Sequence, residues 1–424
     1  MITAAPAEPT RTIPATIAVD PQPVPPVQPA WNIEPLEEKV VMYYPNLYPA
    51  VQACLGVFGA MALKGRTKPL SLMFEAPSGA GKSAVVQMAF PSAGSILSKN
   101  VYRSDKFTPK SFVTHAANVK EEDLPRMDLL PKLENKVLIT KEMAPLFRGR
   151  VEELQDNFSI LIAVLDGKGF ISDTGMRGRR GYDRSIVFNW IGCTTPLPVS
   201  THRLMSQLGT RLLFFEIPAL EVTEEQLLEY AEHGDPGRAE RECQRAMNEF
   251  LVQFYQRHAV GSVDPESIEF PRPLLLELIR WAKFLAQGRA EVIFDQEWLK
   301  SATPVAANPP EAPYKIVTYF KDLALGHALI NGRSSVDQSD LDLIGQVAIS
   351  SIPGHLRPIV KELRKRDTVE TGDVVKLCGV SSPTARNYMT HLDLLEIANL
   401  TKGGPRTNQA DTLAVSPGYE WLKM

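Results

Sequence analysis

The stretch Leu70-Ser-Leu-Met-Phe-Glu-Ala-Pro-Ser-Gly-Ala-Gly-Lys-Ser83 constrains this chain more than any other. An apolar run from Leu70 to Phe74 is long enough for a buried strand. It breaks at a turn of small residues, and Lys82-Ser83 open a segment, Ala84 to Phe90, with helical potential. Strand, glycine-bearing loop and helix in that order form the setting of a phosphate-binding loop. Small residues at Ala76, Pro77, Ser78, Gly79, Ala80 and Gly81 let the backbone amides curl around a phosphate, at the positive end of the new helix. Lys82 is placed to reach the β and γ oxygens, and the Ser83 hydroxyl to ligate Mg²⁺. Ala76 stands where glycine is usual. The pattern predicts a site for ATP and Mg²⁺; the bland alternative is a fortuitous glycine-rich turn.

A chain of 424 residues with 44% hydrophobic residues suits two or three domains with real cores. The net charge of −3 argues against a generally basic coat, so any nucleic-acid contact must come from local clusters. Cys54, Cys193, Cys243 and Cys378 are scattered, with no pair at metal-ligand spacing, as expected of reduced thiols in a cytoplasmic protein. No apolar run reaches membrane-spanning length, and the start lacks the basic-then-apolar pattern of a signal peptide.

Residues 1–30 hold eight prolines and no periodic apolar face. They predict a disordered arm, taken as residues 1–32, with a docking peptide as the alternative role. Residues 47–64 read as a helix placed before the first strand, where it could help hold a base. Beyond the loop, a second strand is expected near 100–103, and Thr108-Pro109 signals a helix start. Lys136 to Lys141 is an apolar strand ending in Glu142, which could orient the attacking water. Residues 151–167 form an amphipathic helix stopped by Gly167. A hairpin follows, with Arg177, Arg179, Arg180 and Arg184 around its tip, suited to phosphate-backbone contact or to a solvated loop. Val187 to Cys193 is another strand, ending in Thr194 and Thr195, and a last strand runs from Arg211 to Pro218.

This order resembles the AAA+ ATPases, in the branch of MoxR-like, magnesium-chelatase and minichromosome-maintenance proteins, over about residues 45–350. The resemblance implies an α/β P-loop domain over 33–220 and a helical insert and lid over 221–353. It also implies a pre-sensor hairpin facing the pore of a ring, and Thr194 or Thr195 as sensor 1. Arg211 looks like an arginine finger acting in the neighbouring subunit, hence a homo-oligomer, commonly a hexamer. The sensor 2 place falls to Lys315, which keeps the charge of arginine without its planar fork. Family members usually end the acidic strand in Asp-Glu; here Lys141 replaces the Asp.

Residues 354–424 carry helices near 356–366, 372–378 and 382–395, then two strands, resembling a winged helix-turn-helix domain. In a DNA complex Thr384, Arg386 and Asn387 would open the recognition helix, with Lys402 and Arg406 on the wing. Ten Lys/Arg stand against eight Asp/Glu over 355–424, so protein docking is the competing role. The reading is an ATP-driven ring motor or remodeller acting on DNA. The alternatives are a MoxR-like chaperone that remodels protein complexes and a nucleotide-gated DNA-binding regulator.

Overall fold

The computed structural model describes residues 31–114, 121–174, 178–197, 209–219, 222–295, 303–404 and 410–423. The chain opens with α1 (Glu34–Tyr43) and α2 (Tyr48–Met61), followed by β1 (Ser71–Glu75) and α3 (Lys82–Met88). Next come β2 (Val101–Arg103), the short helical turns α4 (Leu124–Met127) and α5 (Leu129–Leu133), and β3 (Val137–Thr140). Then follow α6 (Val151–Val164), the hairpin β4 (Phe170–Thr174) and β5 (Gly178–Tyr182), β6 (Asn189–Thr194) and β7 (Leu213–Glu216). The expected helix after Thr108-Pro109 is only a 3-10 turn, Pro109–Ser111, and residues 115–120 lie outside the described residues.

Five strands form a parallel sheet in the order β2-β3-β6-β1-β7. Its strands are apolar runs because both faces are covered. Side chains alternate between the faces. Leu72, Phe74, Val137, Ile139, Ile191, Cys193, Leu213 and Phe215 enter one core. Met73, Leu138, Trp190 and Phe214 enter the other, with Phe158 and Leu161 of α6. The mixed α/β architecture around a central parallel sheet follows from that alternation.

The carboxyl half adds α7 (Glu224–His233), α8 (Pro236–Arg257), α9 (Arg272–Gly288), the hairpin β8 (Val292–Phe294) with β9 (Pro304–Ala307), α10 (Tyr314–Ile330) and α11 (Gln338–Ser350). The proline-bearing stretch 304–313 opens with the strand β9. Helix α10 packs flush on α2: a Cβ on Gly59 would lie 2.0 Å from the Gly326 carbonyl oxygen, so both helices need glycine there. The end of the chain holds α12 (Arg357–Leu363), β10 (Thr368–Glu370), α13 (Thr371–Cys378), α14 (Ser382–Leu394), β11 (Ala398–Thr401) and β12 (Thr412–Val415). Its three strands pair antiparallel in the order β10-β12-β11.

One contiguous apolar core runs from Trp31 to Leu422, crossing the expected unit boundaries at 220 and 353. The expected arm also ends earlier than residue 32. Trp31 is buried, donates its indole N–H to the Ile330 carbonyl at 2.9 Å and lies edge-on to Phe254.

Candidate nucleotide site

The loop between β1 and α3 takes its shape from two residues with left-handed backbone. Gly79 has φ +86° and Gly81 has φ +84°, and a Cβ on Gly81 would strike Leu47 at 2.7 Å. Within the loop the Ala80 amide donates to the Pro77 carbonyl at 3.4 Å, while Ala84 and Val85 donate back to Gly81. The first-turn amides of Lys82 and Ser83 point out of the helix, as helix starts require. Lys82 folds over the loop, with Nζ 3.4 Å from the Pro77 carbonyl oxygen. It is 7% exposed, and among the described residues it has no carboxylate partner. Ser83, half-buried beside it, offers a hydroxyl of the kind Mg²⁺ accepts. Among the described residues no three His, Cys, Asp or Glu side chains gather as a metal site.

The sheet order brings the other candidates to the same edge. β6 lies between β1 and β3, with Glu75 opposite Thr194 in register, and the Ala76 amide donates to the Thr194 carbonyl at 3.2 Å. Thr194 is buried and turns its hydroxyl onto the Thr195 carbonyl. The Met143 amide donates to the Cys193 carbonyl at 2.7 Å, which holds Glu142 beside the strand end. Glu142 is exposed, and its Oε1 accepts the Ala144 amide at 2.9 Å, capping the 3-10 turn Ala144–Phe147. Cys193 is buried between Lys82 and Glu142; burial pushes its thiol up, and Sγ donates to the Lys82 carbonyl at 3.1 Å.

Two residues that sequence reasoning passed over join this edge. Arg148 donates to Thr195 Oγ1 at 3.2 Å, carried there by the 3-10 turn, and no spacing rule marks it. Glu75, the residue before the loop, is buried and accepts from Arg357 on α12 at 3.0 Å.

Lys141 neither runs to solvent nor reaches the loop. It is half-buried, with Nζ 5.9 Å from the Phe90 ring centre. With the Gln87 amide turned to face it, Nζ donates to that oxygen at 2.8 Å. Asp105 lies close by; hydrogen bonds from Arg103 hold its carboxyl below the ordinary range, and the Lys141 charge adds to that.

Arg211 and Lys315 occupy the opposite end of the sheet. Arg211 precedes β7, as Lys68 precedes β1, and these strands are parallel, so both lie at the amino ends. The loop follows the carboxyl end of β1, five residues away, or roughly 16 Å at 3.3 Å per residue. Arg211 Nη2 reaches Asp166 at 3.0 Å, Lys315 Nζ at 3.2 Å and Lys68 Nζ at 4.0 Å. Burial pushes the Asp166 carboxyl up, but Arg211 and Lys315 outweigh it and the net shift is downward. Lys315, expected at the sensor 2 place, thus has its ammonium beside Asp166 at the amino end of the sheet.

The arginine hairpin is largely compensated. Arg184 makes a paired contact with Glu134, the second bond at 2.8 Å, which ties the hairpin to the turn before β3. Arg179 sits opposite Asp173 and 3.6 Å from Asp183, while Arg180 keeps a buried Nη1 without a hydrogen-bond acceptor among the described residues. Tyr182 donates to Asp128 at 2.8 Å. Arg177 lies outside the described residues. On α14, Arg386 is paired with Asp411 at 3.1 Å, Thr384 shares a hydrogen bond with Ser381, and Asn387 is half-buried. Lys402 is exposed, and Arg406 lies outside the described residues.

No family model matches the chain, and no curated protein matches it. Among solved structures it is similar to a full-length MCM homolog from Methanopyrus kandleri, at 13% identity and a TM-score of 0.40. The match covers 78% of this chain and spans 63% of the length of that one. A likeness this distant carries no chemistry, which must come from the site itself.

Proposed function

We propose that residues 76–83 bind the phosphates of ATP and that the chain hydrolyses it, as an AAA+-type ATPase. The observation that carries this reading is Lys82. A nine-tenths-buried ammonium with no carboxylate is costly unless an anion completes it. Here it lies in a loop whose glycine geometry turns amides toward the same point. Bound Mg²⁺ would neutralise phosphate charge next to the Ser83 hydroxyl. Glu142 is the base that orients water, freed from its cap on Ala144 to do so. Thr194 and Thr195 fix the opposite side of the attack, and Arg148 adds positive charge where the γ-phosphate ends.

Lys82→Ala is the test. ATP affinity should fall by two orders of magnitude or more, roughly 3 kcal/mol, with the fold intact by circular dichroism. Parent-like binding in a titration of fluorescent ATP would remove the assignment.

The Arg211, Lys315 and Lys68 cluster lies too far from the loop of its own chain, which supports a head-to-tail assembly in which one chain's cations complete the next chain's site. The work done with ATP is assigned to remodelling of a polymer threaded past the β4–β5 hairpin, with DNA as the first choice. The pairing of Arg184 with Glu134 and of Arg386 with Asp411 favours the second reading, a chaperone acting on protein complexes. DNA-stimulated turnover would decide for the first, and turnover indifferent to DNA for the second.

A further inference from the structure

A cavity of about 530 Å³ opens at the end of β7, beside the strand that leads into the phosphate loop, and its walls come from five segments of the chain. Two of its walls adjoin residues that flank the loop. Ile217 lines the cavity and its amide donates to the Glu75 carbonyl at 2.9 Å, one residue before Ala76. Asn46 lines it too, and its neighbour Leu47 is the residue packed under Gly81. Pro49, Phe215 and Ile349 give the apolar faces that a flat ring needs, at a volume ordinary for small-molecule sites. The outer wall is helix α12, which contributes Lys361 and Arg364. Lys361 Nζ is held 2.5 Å from Glu216 at the end of β7. One turn earlier, Arg357 makes the buried contact with Glu75. The same helix therefore touches both the cavity and the residue that starts the loop.

We propose that the nucleoside part of the bound nucleotide lodges in this cavity, so that α12 is part of the nucleotide site and its docking answers to occupancy. The inference rests on the phosphate-loop reading above and adds to it the region 354–424, which that reading leaves outside the chemistry. With a nucleoside in place, α12 gains a ring and ribose to pack on. Without one, the helix keeps the apolar packing of Ile359, Val360 and Leu363 and two ion pairs to the sheet, Lys361–Glu216 at the rim and Arg357–Glu75 inside. Binding then tightens the seat of everything that follows α12.

The experiment uses the full chain and two probes: ATP, and inorganic triphosphate, which carries the phosphates without a nucleoside. Gln346, exposed at the mouth of the cavity on α11, is changed to Trp to fill it. Lys361, also on the surface, is changed to Glu to repel Glu216. Both variants should lose about tenfold or more in ATP affinity while binding inorganic triphosphate like the parent. Amide exchange across 357–363 in the parent should slow with ATP and stay unchanged with triphosphate. Parent-like ATP binding by Lys361→Glu, or exchange in α12 that ignores ATP, overturns the proposal. So does Gln346→Trp binding ATP as the parent does. Failure of the parent to bind either probe overturns the phosphate-loop reading instead, and is told apart by the triphosphate arm.

Discussion

Arg357 and Glu75 meet across 282 residues of chain, and both side chains are almost wholly removed from water. At this scale the cost of a mistake is set by desolvation. Removing one partner leaves the other charge buried and unpaired, at about 3–5 kcal/mol. Arg357→Ala should therefore lower the midpoint of urea unfolding sharply. Adding Glu75→Gln should recover part of the loss, because it removes the stranded carboxylate. A double variant no more stable than Arg357→Ala alone would mean that the pair is not the source of the cost. Lys82 is the contrasting residue: it too is buried and charged, but in the proposed reading a ligand completes it, so its removal should spare stability and strike binding. The loop was legible in the sequence because its residues are consecutive. The Glu75–Arg357 pair was not, since nothing local distinguishes an acid at a strand end from a solvated one.

Single elements carry the next set of consequences. The β4–β5 hairpin was legible from its glycines, yet the partners of Arg184 and Tyr182 were not, because Glu134 and Asp128 approach from another part of the chain. Changing Arg179 and Arg180 together to Ala should reduce the slope of log affinity for duplex DNA against log salt by as much as about 1.8, at 0.9 per lost contact. Arg184→Ala should leave that slope alone and cost about 1 kcal/mol or less in stability, as an exposed pair does. A slope unmoved by the first change would send the hairpin to the protein-remodelling reading. A second element-scale case is the clamp between α1 and α8. Glu242 accepts from Arg238 at 2.7 Å and from Lys39 at 2.7 Å. Hydrogen bonds from Arg238, Lys39 and Tyr43 lower its carboxyl from the ordinary 4.5 to about 2. A lowered acid contributes fully above its unfolded value and loses that contribution as pH falls through its folded one. The stability lent by the clamp should thus be flat above pH 4.5 and fade between there and about pH 2. Acid unfolding of Glu242→Gln against the parent checks this: their difference should vanish toward the low end of that window.

Over the whole molecule, the strands of the sheet were read from apolar runs bounded by turn residues, and those runs fix most of the α/β layer. What escaped was how later segments close onto it. Trp31 reaches Ile330, α10 lies on α2, and α12 reaches β1 and β7, contacts that join residues from 145 to 299 positions apart. The expected division into arm, sheet domain, lid and terminal domain follows composition, whereas the larger of the two cores spans residues from the sheet domain, the lid and the terminal domain. The Asp166 cluster escaped for the same reason: Asp166, Arg211 and Lys315 are 45 and 149 residues apart, and only the fold gathers them.

That cluster and the phosphate loop stand at opposite ends of β1. If hydrolysis needs both, as the head-to-tail reading holds, a lone chain owns two half-sites and no whole one. Turnover per chain should then rise with protein concentration and collapse on dilution, in step with the mass measured by light scattering. Poisoning should be one site for each variant chain, displaced by one position. An Arg211→Ala chain mixed into the parent would silence its neighbour's site while its own loop, completed by a sound neighbour, went on working. A turnover number that stays constant over a hundredfold dilution would mean that each chain is sufficient by itself.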